Sequence, residues 1–467
     1  MRGVSRFVVS MAVAASAVLA VPAVSADATP AVASARAGAA ASKRAVIPIP
    51  GQPATYKKFS PVHYSPPAGP RFNDPYGAQS ARRNLLTHVI RAVKSAPGYR
   101  IPKGIDPATG KQAACPTNPA EYPSEIRIAL YSIADQSFVD AMIDAHRRCV
   151  SVKLLMNSHL TVDNSPSWRR LLNGVGAKSK DFVNQRSYVY RCSNGCLGTT
   201  VLHTKFYLFS QAGSATDTVM VGSNNMTSNA VRVQWNDLFT VNGNTALYDE
   251  YTQMWNKMAP DHSSNGPRIY EAGPYTSTFY PYRQANKSND KTLNALNTIR
   301  CTGATGGAGY HGHTVVYIAM HAWHGSRGLY LAQRVRQLYD HGCYVRILYS
   351  FMGHGTYTLL TRGTNSRMIA RRVLFPGASG LVAAKYSHMK MFAASGNVGG
   401  NPSAWVTWTG SNNWADRSIK ADEVTLRIPS KSVYNAYVDH WNFMRARRSS
   451  GVWAIYEEPG GGGRAPD

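Results

Sequence analysis

Two segments of the chain carry the same pair of motifs, His-x-Lys and, further along, Gly-Ser-Asn-Asn. Imidazole acts as a nucleophile, acid or base near neutral pH, and a neighbouring lysine supplies a fixed cation. Two such sets suit a phosphodiester: one imidazole attacks phosphorus, the second protonates the leaving alcohol, and cations and amides hold the nonbridging oxygens. This chemistry requires no metal and no other cofactor. The candidate catalytic residues are His203, Lys205, Ser223 and Asn225 in the first copy and His388, Lys390, Ser411 and Asn413 in the second.

Recurrence strengthens the catalytic interpretation of these motifs. A single His-x-Lys on a strand is more often a surface pair than a site, and Gly-Ser-Asn-Asn alone is most often a turn. Here the second histidine follows the first by 185 residues, and the second Gly-Ser-Asn-Asn follows the first by 188. Both motifs therefore belong to one internal repeat.

The residues around both motifs predict strands, because β-branched and aromatic side chains dominate them. The predicted strands cover residues 201–209, 219–225, 386–392 and 405–413. Since side chains alternate along a strand, the histidine and lysine of each copy are expected on one face.

A strand, a helix and a second strand are predicted ahead of each His-x-Lys motif. They cover 126–131, 138–148 and 150–155 in the first half, and 315–320, 329–339 and 343–348 in the second. A strand-helix-strand crossover implies parallel pairing and an α/β layer. The predicted fold class is therefore α/β, with duplicated lobes at 71–262 and 278–448 related by a pseudo-twofold axis and one site at their interface.

These motifs resemble those of the phospholipase D superfamily, whose signature is His-x-Lys-x4-Asp followed by Gly-Ser/Thr-x-Asn, usually present twice per active site. The resemblance extends over about residues 71–448. It implies two phospholipase D-like α/β lobes, each with a mixed sheet flanked by helices, and a covalent phosphohistidine that water or an alcohol resolves. We expect His203 to be the nucleophile and His388 the general acid and then base, although the pseudo-symmetry leaves the reverse assignment open.

Two features depart from the family signature. Ser210 and Ser395 stand where the family has its aspartate, and the lysine and the following glycine are 17 positions apart in the first copy and 20 in the second. Because the family aspartate is expected to be structural, phosphodiester chemistry is still predicted. Asp237 and Glu423 are candidates to orient the histidines; the alternative is that they are surface or strand-end carboxylates.

Aromatic and imidazole side chains follow the carboxyl ends of the predicted strands, where open α/β sheets place their ligand loops. They are candidates for substrate contact, with packing of the loops as the alternative. The set comprises His159, Trp168, Trp323, His324 and His354.

The N-terminus and the cysteines indicate export. Residues 1–26 have the pattern of a secretory signal peptide, an Ala/Pro-rich linker is predicted at 27–70, and a flexible tail is predicted at 449–467. Six cysteines in an exported chain suggest three disulfides, although a Cys-x3-Cys spacing can also begin a metal site. The expected pairs are Cys115 with Cys149, Cys192 with Cys196, and Cys301 with Cys343.

The net charge of +26 falls by two to +24 once Arg2 and Arg6 leave with the signal peptide. Such a charge predicts attraction to phospholipid surfaces, nucleic acids or cell-wall polyanions. We expect a secreted, monomeric phosphodiesterase that acts on the head groups of anionic or zwitterionic phospholipids at a membrane surface. The alternatives are a metal-independent nuclease of the same superfamily and a non-catalytic binder of anionic polymers or membranes.

Overall fold

The computed structural model describes residues 57–101, 114–158, 165–364, 368–372 and 385–446. The predictions for the signal peptide, for most of the linker, for His159 and for the tail at 449–467 fall outside these residues. Within the described ranges, no helix combines the length and the apolar character needed to cross a bilayer.

The N-terminal lobe consists of the first large sheet and the elements around it. Its strands are β1 (Lys58–Phe59), β2 (Gly69–Phe72), β3 (Gly98–Tyr99), β4 (Glu125–Leu130), β5 (Ser151–Asn157), β6 (Tyr188–Cys192), β7 (Phe206–Ala212), β8 (Ala215–Gly222), β9 (Gln234–Trp235) and β10 (Asp237–Val241). Its helices are α1 (Gln79–Arg82), α2 (Asn84–Ser95), α3 (Gln136–Arg147), α4 (Pro166–Val175), α5 (Ser228–Arg232) and α6 (Thr245–Met258), with a 3-10 turn at Pro119–Glu121.

The C-terminal lobe follows the same plan. Its strands are β11 (Arg268–Ala272), β12 (Tyr275–Phe279), β13 (Ile299–Arg300), β14 (Val315–Trp323), β15 (Tyr344–Met352), β16 (Met368–Arg372), β17 (Tyr386–Ser387), β18 (Lys390–Val398), β19 (Asn401–Gly410) and β20 (Val424–Pro429). Its helices are α7 (Lys291–Asn297), α8 (Gly325–Asp340), α9 (His354–Thr361) and α10 (Lys431–Ala446), with a 3-10 turn at Asp416–Ile419.

The strand order of the first large sheet is β2-β10-β8-β7-β4-β5-β6, and that of the second is β11-β12-β20-β19-β18-β14-β15-β16. The two orders match from β2 and β12 onward; the second sheet has β11 as an additional edge strand, and β13 pairs with β18. In both, three strands are parallel, β4 with β5 and β6, and β14 with β15 and β16. The His-x-Lys strand lies antiparallel beside the first of these, so β7 corresponds to β18. The predicted duplicated α/β fold with mixed sheets is confirmed.

One hydrophobic core contains residues of both sheets and of the two equivalent helices α6 and α10. Tyr251 and Trp255 of α6 are buried there, as are Tyr437 and Trp441 of α10. These aromatic residues occupy corresponding helical turns, so each lobe contributes the same side-chain types to the shared core. Two further cores lie within the individual lobes.

The described end of the segment predicted as a linker is packed against the N-terminal lobe, which corrects that prediction. β1 pairs with β3, and β2 pairs with the edge strand β10. Between them, the Tyr64 hydroxyl lies 2.6 Å from Nδ1 of His88. Composition did not indicate this packing because the strands pair through backbone groups with partners far along the chain, such as Gly69 with Thr240.

Three disulfides join the expected partners. They link Cys115 with Cys149, Cys192 with Cys196, and Cys301 with Cys343. The Cys-x3-Cys pair therefore closes a loop after β6, and no cysteine is left as a thiol.

Candidate active site

Each His-x-Lys motif lies at the start of a central strand. His203 and Lys205 directly precede β7, which begins later than predicted, whereas β18 begins at Lys390, two residues after His388. The four side chains are 0–4% exposed. The motif residues thus enter the sheets from a buried loop at the seam of the lobes.

Backbone hydrogen bonds between the lobes hold both motifs. The N–H of His203 donates to the carbonyl of Asp422 (3.0 Å), and the N–H of Asp422 donates to the carbonyl of Val201 (2.9 Å). In the other half, the N–H of His388 donates to the carbonyl of Trp235 (2.9 Å), and β17 pairs in parallel with β9. Each histidine is therefore bound to the segment that follows the Gly-Ser-Asn-Asn motif of the opposite lobe.

The imidazole side chains also contact the opposite lobe. Nδ1 of His203 lies 2.8 Å from a carboxylate oxygen of Glu423. Nδ1 of His388 lies 2.8 Å from the amide oxygen of Asn236. A partner at Nδ1 fixes the ring and its tautomer, which leaves Nε2 as the reacting nitrogen.

Glu423 contacts a histidine as expected, whereas Asp237 does not. The carboxylate of Asp237 accepts hydrogen bonds from Ser223 (2.7 Å), Tyr437 (2.8 Å) and Thr409. The preceding residue, Asn236, makes the contact with the imidazole. Because neighbouring side chains point to opposite sides of an extended chain, a shift of one residue exchanges the two roles. Asp237 instead links a turn of its own lobe to the C-terminal lobe.

Both lysines place their ammonium groups beside the histidine backbone. Nζ of Lys205 donates to the carbonyl of His203, and Nζ of Lys390 donates to the carbonyl of His388 at 2.7 Å. Nζ of Lys205 also lies 5.4 Å from the centre of the Tyr131 ring. Two buried cations next to two imidazoles form an environment suited to the charge of a phosphoryl group.

The serines of the two Gly-Ser-Asn-Asn motifs shape the turns that carry the site. The hydroxyl of Ser223 accepts a hydrogen bond from the N–H of Asp237, and that of Ser411 accepts one from the N–H of Val424, both at 3.0 Å. These bonds tie the end of β8 to β10 and the end of β19 to β20. The serines therefore have a positioning role in the structure.

The last asparagine of each motif is buried but differs in its contacts. The amide oxygen of Asn413 accepts a hydrogen bond from the N–H of Ala322 at 3.2 Å. The amide oxygen of Asn225 has no hydrogen-bond partner among the described residues. Since a buried polar atom without a partner is costly, Asn225 is a candidate contact for a bound ligand.

The electrostatics of the site follow from its burial. Burial lowers the pKa of His388 well below the usual imidazole range, and the nearby Lys390, His321, Lys205 and His203 lower it further. Burial raises the pKa of Glu423 to about 7, although Lys205 opposes that shift. His388 is consequently neutral at neutral pH, while Glu423 is poised to exchange a proton.

Sequence reasoning missed a second buried carboxylate beside Glu423. Asp422 accepts backbone hydrogen bonds from Cys196, Leu197 (3.0 Å) and Gly198 (2.8 Å). Cys196 closes a small loop with Cys192, and Leu197 and Gly198 directly follow that loop. Two adjacent acidic residues ahead of an apolar strand were the available signal, and the fold shows that the first anchors the loop and the second holds the histidine.

Two aromatic rings beside the histidines were also missed as site residues. The Tyr131 ring lies 5.3 Å from the His203 ring, and the His321 ring lies 4.8 Å from the His388 ring. Nδ1 of His321 lies 3.0 Å from the carbonyl oxygen of Ser387. Because Tyr131 and His321 follow equivalent positions of β4 and β14, the repeat itself was the signal that could have identified them.

The residues predicted to contact substrate differ in their surroundings. Trp168 is buried in the core of the N-terminal lobe, and Trp323 is buried in the core of the C-terminal lobe, where it packs against Trp414. These two tryptophans therefore pack within their lobes. His324 is partly exposed at the start of α8, and His354 is exposed as the first residue of α9.

The positions of the missing family aspartates lie away from the imidazoles, on the sheets. The hydroxyl of Ser210 accepts a hydrogen bond from the N–H of Glu125 at 2.8 Å. The hydroxyl of Ser395 accepts one from the N–H of Gly309 at 2.9 Å. Both serines thus satisfy a backbone amide of a neighbouring segment.

The fold and the site define a duplicated α/β protein with a two-histidine centre between its lobes. Residues 118–259 match the family model described as cardiolipin synthase, PLD-like domain, so this part of the chain is phospholipase D-like. Among curated proteins, none matches the sequence of this chain. Within the part of the chain that the structure describes, no group of three or more His, Cys, Asp or Glu side chains is arranged to hold a metal ion.

The chain is also similar to solved structures at low identity. The polyphosphate kinase of Porphyromonas gingivalis is 10% identical, with a TM-score of 0.49 over 87% of this chain and 53% of that one, so this chain spans about half its length. The phosphatidylserine synthase of Haemophilus influenzae Rd KW20 is 12% identical, with a TM-score of 0.49 over 81% of this chain and 86% of that one. Nuc, a phospholipase D family member of Salmonella typhimurium, is 16% identical, with a TM-score of 0.27 over 42% of this chain and all of that one.

Proposed function

We propose that this protein is a secreted phosphodiesterase that hydrolyses phospholipid head groups, or transfers the phosphatidyl group to an alcohol, through a phosphohistidine. One observation carries the proposal. His203 and His388 are buried together, and each has its Nδ1 bound to a side chain of the opposite lobe. Both half-sites come from one chain, so the proposed active unit is a monomer.

The surrounding groups suit the two steps of such a reaction. One imidazole attacks phosphorus through Nε2 while the other protonates the leaving oxygen; in the second step the latter removes a proton from water or an alcohol. The ammonium groups of Lys205 and Lys390 neutralise the nonbridging oxygens, and the amides of Asn225 and Asn413 donate hydrogen bonds to them. Because the site is buried, each of these interactions is stronger than it is in water.

Three features support a lipid substrate and export. The matching family model is that of cardiolipin synthase, an association with phospholipid chemistry. The three disulfides are typical of proteins that leave the reducing cytosol. A charge of +24 after loss of the predicted signal peptide favours binding to anionic head groups at a membrane surface.

The same charge favours the second candidate, a metal-independent nuclease. A nucleic acid is an extended polyanion, so many separate cationic side chains of a protein can each contribute to its binding. This binding weakens steeply as the salt concentration rises. The catalytic steps on a nucleic acid phosphodiester would use the same residues. The phospholipid phosphodiesterase and the nuclease therefore have to be distinguished by comparing activity on the two kinds of substrate.

The test measures choline release from phosphatidylcholine vesicles and cleavage of single- and double-stranded DNA, each with a chelator present. The enzyme is compared with His203→Ala, His388→Ala and a control, His341→Ala. His341 is exposed at the end of α8, near the start of β15 and thus at the opposite end of the sheet from the site. We expect choline release that the control retains and that both site variants lose by about 10³-fold or more.

Other outcomes would assign other functions. DNA cleavage without lipid turnover would establish the nuclease, and its loss in both site variants would place that activity at the same centre. Vesicle or DNA binding without turnover, unchanged in His203→Ala, would identify a non-catalytic binder.

A further inference from the structure

One face of the C-terminal sheet points away from the core that the two lobes share. Val424, Leu426 and Ile428 of β20 are buried in that core. Since side chains alternate along a strand, Thr425 and Arg427 lie on the opposite face. Both of them line a cavity of about 260 Å³. The cavity therefore lies on the other side of the sheet from the shared core.

The corresponding face of the N-terminal sheet is packed with apolar residues. Leu238 pairs with Gly222, as Thr425 pairs with Gly410, and the two glycines begin the two Gly-Ser-Asn-Asn motifs. Leu238 is therefore the equivalent of Thr425, and it is buried in one core with residues of α2. Helix α2 has 12 residues, whereas α7, which holds the same place ahead of β14, has only 7. The shorter helix leaves part of the C-terminal sheet uncovered.

Two cations line the cavity, and their charged groups are not used within the protein. Arg427 lies 6.0 Å from the centre of the Trp408 ring, and Lys291 lies 5.4 Å from that of Tyr282. Among the described residues, neither charged group has a hydrogen-bond or ion-pair partner. Burial lowers the pKa of Arg427, and Glu271 on the neighbouring β11 opposes this shift. Both cations remain available to an anion in the cavity.

Threonine hydroxyls surround the arginine on the same face. Thr276 and Trp408 lie opposite Arg427 on the two neighbouring strands, and Thr278 lies opposite Thr425. The three threonines are partly exposed, and their hydroxyls make no hydrogen bond to another described residue. The cavity thus presents cations, hydroxyls and an aromatic ring together. Its volume is near the lower end of small-molecule sites, roughly 300 Å³, which fits one sugar unit rather than a polymer.

We propose that this cavity is a second ligand site, which binds a phosphate monoester carried by a sugar or another polyol. Lys291 and Arg427 hold the phosphate, whose charge of about −2 at neutral pH they balance. The three threonines and the amide of Asn294 bind the hydroxyl groups, and Trp408 contacts the apolar face of the polyol. None of the described residues that line the cavity is acidic, so nothing in its wall repels the phosphate.

Calorimetric titration with glucose 6-phosphate tests the site. We expect Arg427→Gln and Lys291→Ala each to weaken binding by about 10- to 100-fold, because each loses a charged hydrogen bond. The matched control is Lys287→Ala, which removes an exposed cation just ahead of α7 and outside the cavity, and it should bind within about twofold of the unsubstituted protein. Thr276→Phe should abolish binding because it fills the cavity without changing the charge.

The two parts of the ligand are tested separately. Glucose and inorganic phosphate should each bind at least about tenfold more weakly than glucose 6-phosphate. Equal affinity for inorganic phosphate, or an equal loss in Lys287→Ala and Lys291→Ala, would reduce the site to general attraction of anions and overturn the proposal. Lys390→Ala, which removes a cation of the candidate active site, should bind normally. Loss of binding in Lys390→Ala but not in Arg427→Gln would move the ligand to the active site and also overturn it.

A second arm distinguishes a soluble ligand from a lipid head group. Vesicles of phosphatidylcholine with phosphatidylinositol 4-phosphate carry the same chemistry on a membrane. Sedimentation with these vesicles that glucose 6-phosphate displaces and that Arg427→Gln loses would identify a head-group site. Binding of glucose 6-phosphate without this sedimentation would identify a site for a soluble sugar phosphate, and no binding in either arm would overturn the proposal. None of these measurements depends on phosphodiesterase turnover, and choline release by Arg427→Gln should equal that of the unsubstituted enzyme.

Discussion

The carboxylate of Glu423 lies 2.8 Å from Nδ1 of His203, although 220 positions separate the two residues. The contact joins the lobes, and its counterpart joins them in the opposite direction through Asn236 and His388. Neither lobe alone contains both a motif histidine and the Nδ1 partner of that histidine, so the chemistry of His203 and His388 depends on the docking of both lobes.

Replacing Glu423 by glutamine tests that dependence. We expect Glu423→Gln to lower turnover by about 10²- to 10⁴-fold, because an amide neither stabilises the imidazolium nor takes part in proton exchange. The melting temperature should not fall, since the substitution removes a carboxyl group whose burial raises its pKa to about 7. The exposed Asp249→Asn serves as the control and should keep full activity. Equal losses of stability and activity would instead indicate a structural role.

The loop closed by Cys192 and Cys196 should influence catalysis without touching substrate. The backbone amides of Cys196, at the end of this loop, and of the two residues after it bind Asp422, the neighbour of Glu423, so opening the loop loosens the segment that holds His203. We expect the double variant Cys192→Ser/Cys196→Ser to lose about 10- to 100-fold in activity, the range typical of second-layer support. The matched double variant that removes Cys115–Cys149 should lose stability while each folded molecule keeps its activity. Assays of the folded fraction after mild urea titration would separate the two effects.

The serines that replace the family aspartates should act on stability alone. Because each hydroxyl accepts a backbone hydrogen bond, Ser210→Ala and Ser395→Ala should each lower the free energy of unfolding by about 1 kcal/mol. Turnover measured at a temperature where the variants are folded should stay within about twofold. Ser228→Ala, at an exposed position, is the control. A large loss of turnover in either variant would contradict this prediction and would show that these positions affect the catalytic imidazoles.

His440 should make the fold sensitive to acid. Its ring stacks on Phe72 at 4.1 Å between centroids, and burial lowers its pKa from 6.5 to about 3. The unfolded chain binds a proton at this position below pH 6.5 whereas the folded chain does not, so stability falls as the pH drops from 6.5 towards 3. Relative to His440→Phe, the native protein should lose up to about 1.4 kcal/mol per pH unit in this window. Urea unfolding at several pH values measures this difference, and parallel curves for the two proteins would contradict the prediction.

The sequence alone predicted the duplicated architecture, the two His-x-Lys pairs and the disulfide partners. These features are encoded locally or by repetition: strand and helix periodicities are visible in short windows, and equivalent cysteines occupy matching places in the two halves. Such patterns can be recognised without knowing which surfaces of the protein pack together. For the same reason, the helix predicted at 138–148 differs from α3 by only a residue or two at each end.

Only the tertiary structure decided what each motif residue contacts. Asp237 and Asn236 are neighbours in sequence, yet the first joins Tyr437 and the second joins His388, because adjacent side chains leave an extended segment on opposite sides. Trp168 follows a strand as a ligand-loop residue would, but it lies in a core. Which imidazole faces an amide and which faces a carboxylate depends on how two distant segments dock, and no local pattern of residues records that docking.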